Sequence, residues 1–135
     1  MVHSIVRHMS ETLSEPQSFA KKMSAVKLPI AAKKEQILQA LEEFQVIILE
    51  AQTGSGKSSQ VPQYLLDKPG RTVCTQPRRV ATVKLATFVA SQQGCTVGTS
   101  VGYKYKGRNV TNGNTRLVYI TEGSLIREYI TRISS

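Results

Sequence analysis

Residues Glu50 to Gln63 read EAQTGSGKSSQVPQ. Within them, Ala51-Gln52-Thr53-Gly54-Ser55-Gly56-Lys57-Ser58 follows the phosphate-loop spacing G-x-x-x-x-G-K-[ST], with alanine in place of the first glycine. The chemistry served by this spacing is the holding of a nucleoside triphosphate. Gly54 and Gly56 permit backbone angles that turn successive N–H groups inward around phosphate oxygens. Lys57 is placed to reach the β- and γ-phosphates, and Ser58 to offer its hydroxyl to Mg²⁺. The helix that follows would point its positive end at the anion. Thr53, Gly54, Ser55, Gly56, Lys57 and Ser58 are therefore the candidate nucleotide-binding residues, with Ser58 the candidate metal ligand.

Turnover of the nucleotide asks for more than a cradle. It needs an acidic residue for the metal, a group that orients water, and cationic stabilisation of the transition state. The single aspartate, Asp67, falls at the end of the helix after the loop, and Glu128 falls inside a later helical pattern. No residue is assigned a catalytic role. Cys74 and Cys95 have no CxxC spacing, and His3 and His8 lie near the N-terminus. That pattern argues against a zinc site or a Cys/His pair and fits two thiols in a reducing compartment.

The elements that must carry the loop can be read on either side of it. Ile37, Leu38, Leu41 and Phe44 recur at helical spacing, and VIILEA is an apolar, β-branched run suited to a buried parallel strand. GKSSQVPQYLL continues as a helix containing an early proline. RTVCTQP is a second strand, and RRVATVKLATFVASQQ a helix stopped by Gly94. VGTSVGYKY alternates like a strand, KGRNVTNGN supplies turn residues, and TRLVYIT is another strand. EGSLIREYITRI closes as a helix with Leu125, Ile126, Tyr129 and Ile130 on one side. Strands alternating with helices indicate an α/β fold with a mainly parallel sheet flanked by helices. Residues 1–27 read as a mobile N-terminal tail and residues 28–135 as the folded unit.

The 135-residue chain has a net charge of +9 and hydrophobic content of 40%, values that suit a folded domain. The whole charge excess lies after Asp67, where eleven Lys/Arg face only Glu122 and Glu128. A basic half beside a neutral half suggests a polyanionic partner. Lys104, Lys106 and Arg108, interleaved with Tyr103 and Tyr105, are read as a hairpin with its lysines in water. The first residues lack an apolar run of secretory type, and no segment approaches bilayer-spanning length.

Taken in order, EAQTGSGKSSQVPQ, TVCTQPRRVAT, SVGYKYKG and RLVYITEGSLIRE resemble motif I, motif Ia, the VGY segment and the motif Ib region of the DEAH-box (DEAH/RHA) ATP-dependent RNA helicases of superfamily 2. The resemblance covers about residues 28 to 131. It implies a partial RecA-like P-loop NTPase domain, truncated within the first RecA-like domain, with ATP and Mg²⁺ as cofactors. It also implies RNA as partner, contacted through Arg78, Arg79, Thr121, Glu122 and Gly123. Stacking of Arg79 on the adenine is an open alternative. Helicase cofactor proteins are further candidate partners, and a nuclear or cytoplasmic location is expected.

Three departures from the family pattern stand out. The loop begins Ala-Gln-Thr-Gly where the family has Gly-Glu-Thr-Gly. Glu122 replaces aspartate, and KYKG replaces an arginine–phenylalanine segment. The Asp-Glu-Ala-His motif itself is not in the sequence, so this chain alone is expected to bind ATP without hydrolysing it. Two other readings use the same residues: a non-catalytic RNA- or partner-binding module, and a small P-loop kinase that would leave TQPRR unexplained.

Overall fold

The β-branched and aromatic runs RTVCTQ, VGYKY and LVYIT pair with one another to make the centre of the molecule. The computed structural model describes residues 6–9 and 28–135. Its elements are β1 (Val6–Met9), a 3₁₀ turn (Pro29–Lys33), α1 (Lys34–Glu43), α2 (Lys57–Tyr64), β2 (Arg71–Gln76), α3 (Arg79–Gln92), β3 (Val101–Tyr105), β4 (Arg108–Val110), β5 (Leu117–Thr121) and α4 (Glu122–Ser134). The sheet order is β1-β2-β5-β3-β4. β5 lies between β2 and β3 and is parallel to both, while β1 and β4 are antiparallel edges. The architecture is the expected α/β class. Apart from Val6–Met9, the proposed tail lies outside the described residues.

Strand alternation divides the side chains between two faces. Cys74, Val101, Leu117 and Tyr119 are completely buried, and they pack with Ala86, Val89 and Ala90 of α3. A second, smaller cluster joins Ile30, Ile37 and Val61, with Leu28, Leu41, Ile47, Leu49 and Tyr64 against it. That cluster ties the 3₁₀ turn and α1 to α2. The opposite sheet face presents Val73, Val118 and Ile120 to α4.

Three expectations are corrected by the structure. VIILEA is not a sheet strand. Ile47 and Leu49 do point inward on the second cluster, but Val46 is 73% and Ile48 82% exposed, and the segment has no strand assignment. β5 pairs on both sides with β2 and β3, whose outer edges are taken by β1 and β4, so among the described residues no strand neighbours this one. An apolar run then alternates like a strand without the backbone pairing that defines one.

Phe44 caps the end of α1 at 60% exposure instead of joining its packed side, because the helix ends one residue earlier. The apolar residues of α4 do share one side of a helix as read, and that side is open, with Ile126, Tyr129, Ile130 and Ile133 all exposed. Leu125 is only partly covered, and Ser124 is the buried residue. Lys104 is not simply in water either. Its ammonium meets a Glu128 carboxylate oxygen at 3.1 Å, because strand alternation turns Lys104 toward α4 while Tyr103 and Tyr105 face the other way.

Candidate nucleotide and nucleic-acid site

The phosphate loop is shaped by its two internal glycines. Gly54 has φ +82° and Gly56 φ +95°, a region costly to residues with a Cβ. Gly56 is also where the loop touches the core. A Cβ there would stand 2.7 Å from Leu28 Cδ1, 3.1 Å from Gln60 Cγ and 3.2 Å from Ile30 Cγ2. The amide of Ile30 donates to the Ser55 carbonyl at 3.2 Å, and the amide of Ser55 to the Gln52 carbonyl at 3.2 Å. The 3₁₀ turn thus buttresses the loop from behind.

Lys57 is buried and donates through Nζ to the carbonyl of Ala51, the first residue of the loop, at 2.5 Å. None of the ion pairs formed among the described residues involves it. Ser55 Oγ is buried without a hydrogen-bond partner, the one such side-chain atom among the described residues. A buried hydroxyl of this kind costs about 1–3 kcal/mol until something satisfies it.

The helix that begins at Lys57 is held on two sides. Gln92 Oε1 on α3 accepts from Gln60 Nε2 at 3.0 Å and from Gln63 Nε2 at 2.7 Å. From the sheet, the Tyr119 hydroxyl donates to the Ser58 carbonyl at 2.8 Å. Burial pushes the Tyr119 phenol well above its ordinary pKa, with the neighbouring Cys74 adding to the shift. The group therefore stays a donor through the neutral range.

At the carboxyl ends of the parallel strands lie the other candidate residues. Arg78 is the extended N-cap of α3, with its carbonyl accepting from the buried Thr82 hydroxyl at 2.9 Å. The Arg79 guanidinium lies over the Tyr105 ring at 5.5 Å, and Tyr105 stacks on Tyr103 with centroids 6.0 Å apart. Thr121 is the extended residue before α4, its Oγ1 donating to Ser124 Oγ at 2.9 Å, and Glu122 and Gly123 are exposed on the first turn. Register places Gln76 beside Thr121, so the starts of α3 and α4 share one rim. Exposed guanidinium groups and helix-start amides on a common rim can hold phosphate oxygens.

No family model matches the sequence. A curated relative, the probable ATP-dependent RNA helicase DHR2 of Saccharomyces cerevisiae, is 45% identical over 107 residues, covering 75% of this chain and 15% of that protein. The chain belongs to the DEAH/RHA helicase family. The crystal structure of the Escherichia coli DEAH/RHA helicase HrpB superposes with a TM-score of 0.69 at 37% identity, over 75% of this chain and 13% of that one. The chain thus spans a small part of the helicases it matches.

Within this helicase segment the structure runs the Thr53–Gly56 loop directly into Lys57 and Ser58 at the start of α2, and places Arg78 and Arg79 on the same rim as Thr121–Gly123. It does not bring an acidic side chain to the loop as an ion-pair partner of Lys57, and the described residues contain no group of acids, histidines or cysteines fit for a metal ion. Two participants escaped sequence reasoning. Tyr105 engages Arg79, and its alternation with Tyr103 was the visible signal. Tyr119 engages the loop helix, and the only signal was a proline inside a helical pattern.

Proposed function

We propose that this chain is the ATP-binding segment of a DEAH-type RNA helicase. In this reading Thr53–Ser58 hold Mg·ATP, with Lys57 on the β- and γ-phosphates and Ser58 Oγ on the metal. Arg78, Arg79, Thr121, Glu122 and Gly123 hold the RNA backbone. Bound Mg·ATP supplies the phosphoanhydride whose cleavage drives strand movement in a complete helicase.

The observation that carries the reading is the buried Lys57 ammonium. It is turned back onto a neutral carbonyl of the loop that precedes it, and the same loop holds the unsatisfied Ser55 hydroxyl. A triphosphate would give both groups the anionic partners they lack, so the residues fit the ligand. The preference for ATP hydrolysis elsewhere than in this chain rests on the acids. Asp67 sits past the end of α2, and Glu122 opens α4 on the RNA-facing rim. RNA is favoured as the second ligand by eleven basic residues after Asp67 and by the two arginines at the start of α3.

Two substitutions test this together. Lys57→Ala removes charge-assisted hydrogen bonds and should weaken Mg·ATP binding by about 10- to 100-fold. Arg78→Ala/Arg79→Ala should spare Mg·ATP, weaken single-stranded RNA, and lower the slope of log affinity against log salt by about two. RNA binding that is nucleotide-independent and unaffected by either change would point to a different binding module. Phosphate transfer to a nucleoside without RNA would point to a kinase.

A further inference from the structure

Pro62 lies inside α2, fully buried, and has no N–H. In an α-helix the N–H of residue 62 would donate to the carbonyl of Ser58, four residues earlier. That carbonyl is therefore deprived of its helical donor. It belongs to the residue whose hydroxyl is the candidate Mg²⁺ ligand, and it adjoins Lys57. At this acceptor the Tyr119 hydroxyl arrives from β5 at 2.8 Å. Tyr119 is 0% exposed and at the centre of the core, so its ring has no room to swing away.

From this we infer that Tyr119 is a positioning residue of the nucleotide site: its hydroxyl replaces the N–H that Pro62 cannot supply, and so fixes the first turn of α2 to the sheet. The inference rests on the reading of Thr53–Ser58 as a nucleotide loop. The distribution of partners in α2 supports a dedicated role. Gly56 keeps its ordinary helical donor, Gln60, at 2.8 Å. Ser59 accepts from the Gln63 side chain at 2.8 Å. Ser58 takes a donor from the sheet, 61 positions later in the chain. The proline lets the helix accept that outside donor, and the tyrosine makes the arrangement rigid. A loop that binds phosphates through backbone amides depends on such rigidity, because small displacements of its donors lengthen several bonds at once.

Tyr119→Phe removes the hydroxyl and keeps the ring. Pro62→Ala restores the missing N–H, so the double variant should supply Ser58 with its own helical donor. The experiment measures amide hydrogen exchange of α2 without nucleotide, and Mg·ATP affinity by calorimetric titration, for the native chain and all three variants. Tyr119→Phe should speed exchange in the first turns of α2 and weaken Mg·ATP by about tenfold, the expected effect of losing one hydrogen bond that holds the site. The double variant should return to within about twofold of native affinity. Unchanged exchange, unchanged affinity, or a double variant no better than Tyr119→Phe would each overturn the inference, the last by showing a general loss of packing. If the native chain fails to bind Mg·ATP, the reading of the loop falls on that result. The exchange data then decide separately whether the hydroxyl holds the helix.

Discussion

Replacing Gly56 with alanine separates the two demands the phosphate loop makes on one residue. At φ +95° an L-residue is strained by about 1–2 kcal/mol. The new methyl would also stand 2.7 Å from Leu28 Cδ1 and 3.2 Å from Ile30 Cγ2. Leu28 can rotate its terminal methyl aside, but Ile30 is β-branched and only 3% exposed, so crowding adds about 1–2 kcal/mol. Alanine lowers unfolded-chain entropy and returns about 0.4–1 kcal/mol. The net loss is about 2 kcal/mol.

Gly54→Ala is the control. Its φ of +82° carries the same strain, but nothing lies within 4 Å of its added Cβ. It should lose about 1 kcal/mol or less on the same reckoning. Urea unfolding followed by far-UV circular dichroism, with a slope of about 1–3 kcal/mol per molar, should place the Gly56→Ala midpoint roughly 1 M below native. It should also fall clearly below that of Gly54→Ala. Equal midpoints for the two variants would refute the claim that the 3₁₀ turn buttresses the loop.

Gly102→Ala should break the β3–β4 pairing, because its Cβ would collide with the Val110 carbonyl oxygen and stand 2.9 Å from Thr111 Cγ2. Faster hydrogen exchange confined to Tyr103–Tyr105 and Val110 is the expected signature. Arg116 donates to the carbonyls of Gly70 at 2.9 Å, Lys68 at 2.6 Å and Leu66 at 3.3 Å. Arg116→Met should therefore cost about 2 kcal/mol in urea unfolding while leaving Mg·ATP affinity alone.

Burial pushes the Cys74 thiol up to about 11, partly offset by the Gln76 amide. At pH 8 a disulfide reagent should modify the half-exposed Cys95 and reach Cys74 only on unfolding. Because the folded pKa lies above the unfolded value, this stabilisation is complete below about pH 9 and is lost as pH rises toward 11. Urea midpoints measured from pH 8 to 11 should fall.

The loop, α2, α3 and the three parallel strands were legible because their signals are local. A glycine pair before Lys57, apolar alternation in RTVCTQ and LVYIT, and helical spacing after Arg78 each specify their own element. The failures concern partners distant in sequence. VIILEA has every property of a buried strand, but strand identity depends on a neighbour, and the sheet closes without it. The apolar residues of α4 were read correctly as one side of a helix, yet Ile126, Tyr129, Ile130 and Ile133 remain exposed. Spacing alone cannot say whether a face is covered. At the candidate site the phosphate-loop residues were evident, whereas the Tyr119 contact with Ser58 spans the fold. No local pattern encodes it beyond the proline that vacates the acceptor.

The central claim is that this 135-residue chain holds ATP without consuming it. Equilibrium dialysis against Mg·ATP labelled at the γ-phosphate, followed by separation of the bound label, addresses it directly. Nucleotide retained by the native chain and recovered as intact ATP, with retention lost in Lys57→Ala, is the predicted result. Absence of retention, or steady release of labelled phosphate by the purified chain, would contradict it.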